Sequence, residues 1–241
     1  MLISIIIPAF NEADYLGDTL TSLNRAQVLL KQEADLTAEI IVVDNDSDDA
    51  TTEVARAWGA HVVAEERRNV AKARNSGARL SIGDVLVFVD ADTVVPEELL
   101  VRIAKTMSDE SCLGGAVDTD YRPSKLAAKI YLRFWRAFGN FMGLAQGATQ
   151  FYRRDVFLAL KGYDETLFMG EDVNLYWRLK RHATRHKGRV VLINDLRVVP
   201  SSRRFDQWRL WRTLIWTNPV FILLFQRSSR FWDGWYGTAP R

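Results

Sequence analysis

The chain has 241 residues, 48% of them hydrophobic and 26% charged, with a formal net charge of +2. This is ordinary globular composition, sufficient for one sizeable core, and the charge balance demands no nucleic-acid partner. The single cysteine, Cys112, excludes an intrachain disulfide framework and a cysteine-based zinc site, suits a reducing, cytoplasmic setting, and reads as a small buried hydrophobe.

Residues 1–7 are apolar but too short and too poor in basic residues for a secretory signal, and they run into Pro8, so residues 3–7 read as a buried strand. Asn11 is placed to cap a helix that begins near Glu12 and carries Tyr15, Leu16, Leu20 and Leu23 at helical spacing. Residues 39–43 form a second strand, 44–49 a polar loop leading into a helix through Trp58, 61–64 a short strand and 70–80 a helix. Residues 85–89 make another buried strand ending at Asp90, and Pro96 sits in the first turn of a helix to about Met107. The second half is less regular: a strand over 113–119, a helix over 125–142, a strand edge over 150–153, a helix over 171–181 and a strand over 190–192. The best membrane-spanning candidate, 214–225, is shorter than the roughly 18 apolar residues required and contains Asn218-Pro219.

Alternating apolar strands and helices imply an α/β fold with a mostly parallel central sheet and helices on both faces. Ligands of such sheets bind beyond the carboxyl ends of the strands. Asn11, Asp44 and Asp90 each follow a strand, so three separate loops bring polar groups to one edge.

The segment Val87-Phe88-Val89-Asp90-Ala91-Asp92 delivers two carboxylates, one residue apart, into a loop. Like charges that close resist joint ionisation unless a cation offsets them. Mg2+ or Mn2+, held by one or two carboxylates and substrate phosphates, suits the pair. The competing reading is a turn in which Asp92 caps the next helix. Asp44 opens an acidic loop through Asp49; Ser47 to Asp49 suit helix capping, while a carboxylate at the strand end itself could accept a base N–H such as uracil N3. Arg74 is solvent-facing by default, or a bidentate phosphate ligand in an acidic pyrophosphate site. Gly170-Glu171-Asp172 opens a helix, where acids are favoured by the helix dipole or where one serves as general base toward an acceptor hydroxyl. His61, His182 and His186 have no metal-ligand spacing and read as structural or surface residues, the last two on one exposed helix end. No Gly-x-Gly-x-x-Gly, Gly-Lys-Ser/Thr or Gly-x-Ser-x-Gly motif occurs.

Five segments, taken together, resemble the family 2 glycosyltransferases with the GT-A fold: Ile5-Ile6-Ile7-Pro8-Ala9-Phe10-Asn11-Glu12, Ile41-Val42-Val43-Asp44-Asn45-Asp46-Ser47, Ala73-Arg74-Asn75-Ser76-Gly77, Asp90-Ala91-Asp92 and Gly170-Glu171-Asp172. The resemblance implies one catalytic domain over 1–200, with a nucleotide-sugar half to about 120 and an acceptor half from about 121, followed by a basic, aromatic extension over 201–241. It implies that Pro8, Phe10, Glu12 and Asp44 line the nucleoside pocket, with Asp44 on the base, and that Arg74 approaches the nucleotide or its phosphates. Asp90 would lie near the ribose or bind metal through water, with Asp92 on a divalent metal directly. Asp172 would be the catalytic base with Glu171 beside it, and Gly147, Ala148 and Tyr152 would border the acceptor. The implied reaction is inverting transfer from a UDP-sugar, with a GDP-sugar as the other candidate, to an acceptor hydroxyl on a lipid-linked group or a glycan. A retaining transferase or a nucleotidyltransferase on a similar fold, and an inactive sugar-nucleotide scaffold, are the alternatives. Many relatives carry a histidine after the last core strand; here that stretch reads Val198-Val199-Pro200-Ser201-Ser202-Arg203-Arg204, and Arg203 and Arg204 would instead close over the pyrophosphate. The Gln-x-x-Arg-Trp motif of processive synthases is absent, Gln207-Trp208-Arg209 being only superficially similar, which implies a non-processive enzyme.

Lys125, Lys129, Arg133 and Arg136 fall on one helical face, with Leu126, Ile130, Phe134, Trp135, Phe138 and Phe141 on the others. The stretch from Ser201 holds Trp208, Trp211, Trp216, Trp232 and Trp235, with seven arginines against two aspartates. A basic, aromatic surface suits the face of a membrane, the inner face for a cytoplasmic protein. The same residues also suit packing on the domain or on a second copy of the chain.

Overall fold

The structure, a computed structural model, describes residues 1–142, 147–228 and 230–232. In chain order the elements are β1 (Leu2–Ala9), α1 (Ala13–Ala34), β2 (Thr37–Asp44), α2 (Thr51–Ala57), β3 (His61–Ala64), α3 (Val70–Leu80), β4 (Val85–Val89), β5 (Thr93–Val94), α4 (Leu99–Met107), β6 (Cys112–Thr119), α5 (Leu126–Met142), β7 (Thr149–Arg153), α6 (Arg154–Ala159), α7 (Glu171–His186), β8 (Arg189–Pro200), α8 (Arg203–Gln207), α9 (Leu210–Trp216) and α10 (Pro219–Phe225). The strands lie side by side as β3-β2-β1-β4-β7-β6-β8-β5. β3, β2, β1 and β4 are mutually parallel and β8 is parallel to β6. β7 runs antiparallel to β4 and β6, and β5 antiparallel to β8. This is the mixed, mostly parallel α/β architecture expected.

Strand alternation divides the core between the two faces. Ile3, Ile5, Ile7, Val42, Val85 and Val87 pack with Leu16, Leu20 and Leu23 of α1 and with Leu100 and Ile103 of α4. Ile6, Ile41, Val43, Leu86 and Phe88 point the other way, toward Ala71 and Ala78 of α3, Phe157 of α6 and Leu175 and Leu179 of α7. Each such fully buried branched side chain contributes about 1.5–3 kcal/mol relative to exposure. Gly77 lets α3 lie close on the sheet: a Cβ there would come 2.5 Å from Cγ2 of Ile6 and 2.9 Å from Cγ2 of Val43.

The reversal of β7 positions the site. Thr149, its first residue, stands opposite Val89, the last of β4. Thr119 of β6 pairs with Val198 of β8, and Pro200 pairs with Thr93 just after Asp92. The ends of β1, β2, β4, β6 and β8 and the start of β7 therefore share one edge.

Several details depart from the sequence reading. Asn11 does not cap α1. It adopts a left-handed backbone (φ 53°), which Asn tolerates better than most residues, and exchanges hydrogen bonds with Asp48 across the loop. α1 runs to Ala34, and β5, α6, α8, α9 and α10 were not anticipated. β8 extends eight residues past the expected Leu192, to Pro200. Its pairing with β6 jumps between Ile193 and Arg197, so the polar Asn194-Asp195 stretch interrupts the alternation that would mark a strand. Cys112 is buried as expected, and burial pushes its thiol pKa up.

The C-terminal aromatics divide. Trp208 and Trp232 are buried, Trp208 edge-on to Trp216 with centroids 5.0 Å apart, and Nε1 of Trp232 donates to the carbonyl of Phe225 at 2.9 Å. Trp211 is 52% exposed. Trp235 and the side chains of Phe138 and Phe141 lie outside the described residues. Among the described residues no helix is long and apolar enough to cross a membrane.

Candidate active site

The loop after β4 is pinned from three sides. The N–H of Asp90 donates to the carbonyl of Ala148 at 3.2 Å, and the N–H of Thr93 to that of Asp90 at 3.1 Å. The hydroxyl of Thr19, in the middle of α1, donates to the carbonyl of Ala91 at 2.8 Å. The N–H of Ser201 reaches the carbonyl of Asp92 at 2.9 Å, tying in the segment after β8. The next helix starts only at Leu99, with Glu98 at its N-cap, so Asp92 caps nothing and the helix-cap reading of the pair falls away.

The Asp92 carboxylate sits in crowded negative company. Burial, then the charges of Glu12 and Asp90, push its pKa up to about 7 against the pull of Arg203 and Arg204. Arg203 is buried beneath it, 3.3 Å from Oδ2 of Asp92, in an ion pair with Glu12 and with its guanidinium 4.2 Å from the centre of the Tyr15 ring. Among the described residues Oε2 of Glu12, Nε and Nη1 of Arg203 and Nε of Arg74 are buried with no hydrogen-bond partner. Buried orphans cost about 1–3 kcal/mol each unless water or a ligand satisfies them.

These residues fit a hard divalent cation. The donors are all oxygens, their mutual repulsion is what a cation relieves, and Glu12, whose Oε2 is orphaned, adds its charge to Asp92. Among the described residues no three acidic, histidine or cysteine side chains form a ready-made cage; a cation held by one or two carboxylates completes its shell with substrate phosphates and water.

Asp44 ends β2 partly buried. Its Oδ1 accepts from the N–H of Ser47 at 3.1 Å and its Oδ2 from the Thr52 hydroxyl at 2.9 Å. Pro8 and Phe10 are partly exposed at the end of β1, with the Arg68 guanidinium 4.6 Å from the Phe10 ring centre. Asn45 holds the backbone of Glu65, Arg67 and Asn69, which keeps this loop beside α3.

Arg74 joins the two halves. Its Nη2 lies 2.7 Å from Oδ1 of Asp90 and its Nη1 2.6 Å from Oε1 of Glu171. Burial opposes its charge, but Asp90, Tyr163 and Glu171 outweigh that and push its pKa up, so it stays cationic inside the protein. Asn75 beside it donates to the Tyr163 carbonyl and the Glu165 carboxylate, both at 2.9 Å. The Arg74-Asn75 pair thereby draws the start of α7 toward the metal-binding candidates.

The structure separates the two acids of α7. Glu171 is buried and engaged by Arg74, whereas Asp172 is partly exposed and faces Gly147, where a Cβ would collide with its carboxylate. Burial, then Glu171, raises the pKa of Asp172 to about 7, with Arg74 opposing. Ala148 is buried at the start of β7. Tyr152 is fully buried, packed edge-on to Phe88 and donating its hydroxyl to Oε1 of Gln150 at 2.6 Å, so its ring supports the floor and does not line an open surface. Arg204 adds positive charge near Asp92.

Sequence reasoning missed Thr19, Tyr121, Gln150 and Tyr163. Tyr163 lies 5.2 Å from the Arg74 guanidinium and places its hydroxyl 3.4 Å from Oε1 of Gln150. Nothing in the local pattern marks a threonine inside a helix or a tyrosine in a loop as part of a site; only the tertiary fold brings them in.

Comparison with known proteins bears on this geometry. Residues 4–160 match the family model described as glycosyl transferase family 2. The chain is 29% identical over 184 residues to the glycosyltransferase AglE of Haloferax volcanii, covering 71% of this chain and 59% of that protein. It is 30% identical over 173 residues to the undecaprenyl-phosphate 4-deoxy-4-formamido-L-arabinose transferase of Klebsiella pneumoniae, covering 66% of this chain and 50% of that one. The chain thus spans about half the length of these relatives. Among solved structures, the mannosyltransferase PcManGT from Pyrobaculum calidifontis, in complex with GDP-Man and Mn2+, superposes with a TM-score of 0.64 at 21% identity, over 87% of this chain and 59% of that one. S. aureus TarS 1-349 in complex with UDP-GlcNAc gives 0.62 at 19% identity, over 84% and 59%. At such identities the likeness is one of fold.

Proposed function

The chain belongs to glycosyl transferase family 2, and on that premise we propose that it moves a sugar from a nucleoside-diphosphate donor to an acceptor hydroxyl, with inversion and without processivity. The observation that carries this reading is the double ion pair of Arg74, which gathers Asp90 and the Glu171-Asp172 turn into one cleft.

In this reading residues 1–120 supply the donor half. Asp44 meets the base, Pro8 and Phe10 flank the nucleoside, and Asp92, with Asp90, holds Mg2+ or Mn2+. The cation, when bound, neutralises charge on the departing diphosphate. Arg203 and Arg204 place positive charge on the same side. A UDP-sugar is the favoured donor and a GDP-sugar the second candidate; the folds of TarS and PcManGT were solved with one of each.

Asp172 is the base. The acceptor oxygen attacks the anomeric carbon, the bond to the diphosphate oxygen breaks, and the hydroxyl proton passes to the Asp172 carboxylate. Gly147 lies directly against that carboxylate, so a side chain there would displace the base. Glu171, held by Arg74, positions the turn and does not take the proton.

A panel of UDP- and GDP-sugars with Mg2+ or Mn2+, read by nucleotide release and thermal shift, tests the proposal. Metal-dependent stabilisation by one nucleotide and slow release of it from the cognate sugar donor are expected. Stabilisation by no nucleotide in either metal would refute it.

A peripheral membrane contact is a second reading, supported by the exposed Trp211, Leu214, Ile215, Leu223, Leu224 and Phe231 of the C-terminal helices. Flotation with anionic vesicles at low salt tests it; failure to bind leaves packing against another copy of the chain, which a concentration series in sedimentation would reveal.

A further inference from the structure

A cavity of about 350 Å3 opens next to the proposed cleft, between the end of β6 and α5. Its walls include Asp120, Tyr121, Arg122, Lys129, Arg133 and Arg136, four cations against one carboxylate. The basic stripe of α5 is not uniform. Lys125 donates to the carbonyl of Trp208 at 3.1 Å. Arg136 is bidentate to Asp118, which Arg197 also approaches at 3.5 Å, and Arg122 pairs with Asp120 at 3.0 Å. Among the described residues Lys129 and Arg133 have no anionic partner. Both are exposed, one turn apart on the same helix, where like charges repel. Two neighbouring unneutralised cations in a concave, polar pocket are a recognition element for a doubly charged oxyanion.

The pocket adjoins the acceptor side of the cleft. Tyr121 is the shared wall, its ring edge-on to Phe205 at 5.1 Å, and burial together with Asp90 and Asp92 pushes its hydroxyl pKa up, with Asp172 contributing. A substrate carrying negative charge toward that acidic cluster would be repelled unless cations beside it compensated. Along the neighbouring stripe of α5, Leu126, Ile130 and Phe134 are 72%, 61% and 62% exposed, so an apolar continuation of the same ligand would find a surface one residue over from each cation.

We propose that Lys129 and Arg133 form a subsite for a phosphate group on the acceptor, with Arg122 and Arg136 as the paired flanks of the pocket. This rests on the glycosyltransferase reading of the adjoining cleft and assigns the acceptor a class: a phosphorylated compound, soluble or lipid-borne.

Calorimetric titration of the metal-free protein in EDTA with inorganic phosphate and with geranyl phosphate tests the subsite apart from turnover. Both probes are expected to bind the wild type, and Lys129→Ala/Arg133→Ala to weaken each at least tenfold, while UDP or GDP affinity in Mn2+ stays within twofold. Geranyl phosphate binding tenfold or more tighter than inorganic phosphate marks a lipid-borne acceptor, equal affinities a soluble one. The same probe affinities in the double variant and the wild type overturn the subsite. An equal loss of nucleotide affinity in the variant also overturns it, by assigning the cations to the donor. Absence of nucleotide binding in the wild type sinks the glycosyltransferase reading alone, because phosphate binding is measured without donor or metal.

Discussion

Arg74 and Glu171, 97 residues apart in the chain, lie 2.6 Å apart as a buried ion pair between α3 and the first turn of α7. Breaking such a pair leaves an uncompensated buried charge, and removing one partner typically costs about 3–5 kcal/mol. Arg74→Ala is expected to lose stability in that range and to abolish turnover, as both Glu171 and Asp90 lose their counter-charge. Urea unfolding followed by tryptophan fluorescence measures it, and a loss below about 1 kcal/mol would show that the pair is not buried in solution.

Asp172→Asn keeps the shape and removes the base. General-base catalysis contributes about 10²–10⁴-fold, so kcat is expected to fall within that range with nucleotide affinity unchanged. Because burial and Glu171 hold the carboxyl near 7, wild-type kcat is expected to decline as pH drops through about 7. A variant with more than half of wild-type kcat would remove Asp172 from the chemistry.

The same carboxyl makes a stability prediction of definite sign. Its folded pKa lies above the unfolded value near 3.8, so the native state binds more protons between pH 4 and 7, and its contribution to stability falls as pH rises through that window. Asp172→Asn is therefore expected to be more stable than the wild type at pH 8, on the order of 1–2 kcal/mol, and equal to it near pH 4. A constant difference across this range would contradict the assignment.

Gly147→Ala tests how closely the acceptor edge approaches the base. The added Cβ has no room beside the Asp172 carboxylate, so one of the two must shift. A drop in kcat of about tenfold or more is expected, since displacement by an ångström can cost a hundredfold. Donor affinity, which depends on the other half, is expected to hold. Unaltered kcat would place the acceptor elsewhere.

The N-terminal half was legible in the sequence because each strand there ends in a loop whose polar residues are local. Asp44 and Asp90 are read from the strands that carry them, and 85–89 and 70–80 match β4 and α3 residue for residue. Even the Arg74-Asn75-Ser76-Gly77 motif resolves into four separate jobs: an ion pair, an anchor for Tyr163, a hydrogen bond to Glu65 and close packing on Ile6. The C-terminal half was less legible because its geometry depends on strand reversal. That Gly147 meets Asp172 follows from β7 running against β4, and no spacing rule encodes it. Tyr152 sits near Gly147 in sequence, yet β7 is covered on both faces and Tyr152 packs into the core with Phe88 and Phe157. The basic stripe of α5 reads as one face, and only the partners of Lys125 and Arg136 reveal that Lys129 and Arg133 are different.

Arg203 has two roles open to it, and they are separable by experiment. It stands between Glu12 and Asp92, against the carboxylates a cation would neutralise, and its Nη1 and Nε are left unsatisfied. If its chief role is to hold those carboxylates before the cation binds, Arg203→Ala is expected to destabilise the metal-free protein by about 3–5 kcal/mol. Saturating Mn2+ should then restore part of that loss, giving a larger metal-induced rise in Tm than in the wild type. If it only grips the diphosphate, metal-free stability stays near that of the wild type and nucleotide affinity drops instead. The buried position favours the first outcome, because a guanidinium enclosed by Tyr15, Glu12 and Asp92 is already committed to the protein. Arg203→Ala/Arg204→Ala with unchanged stability, nucleotide affinity and turnover would remove both arginines from the site.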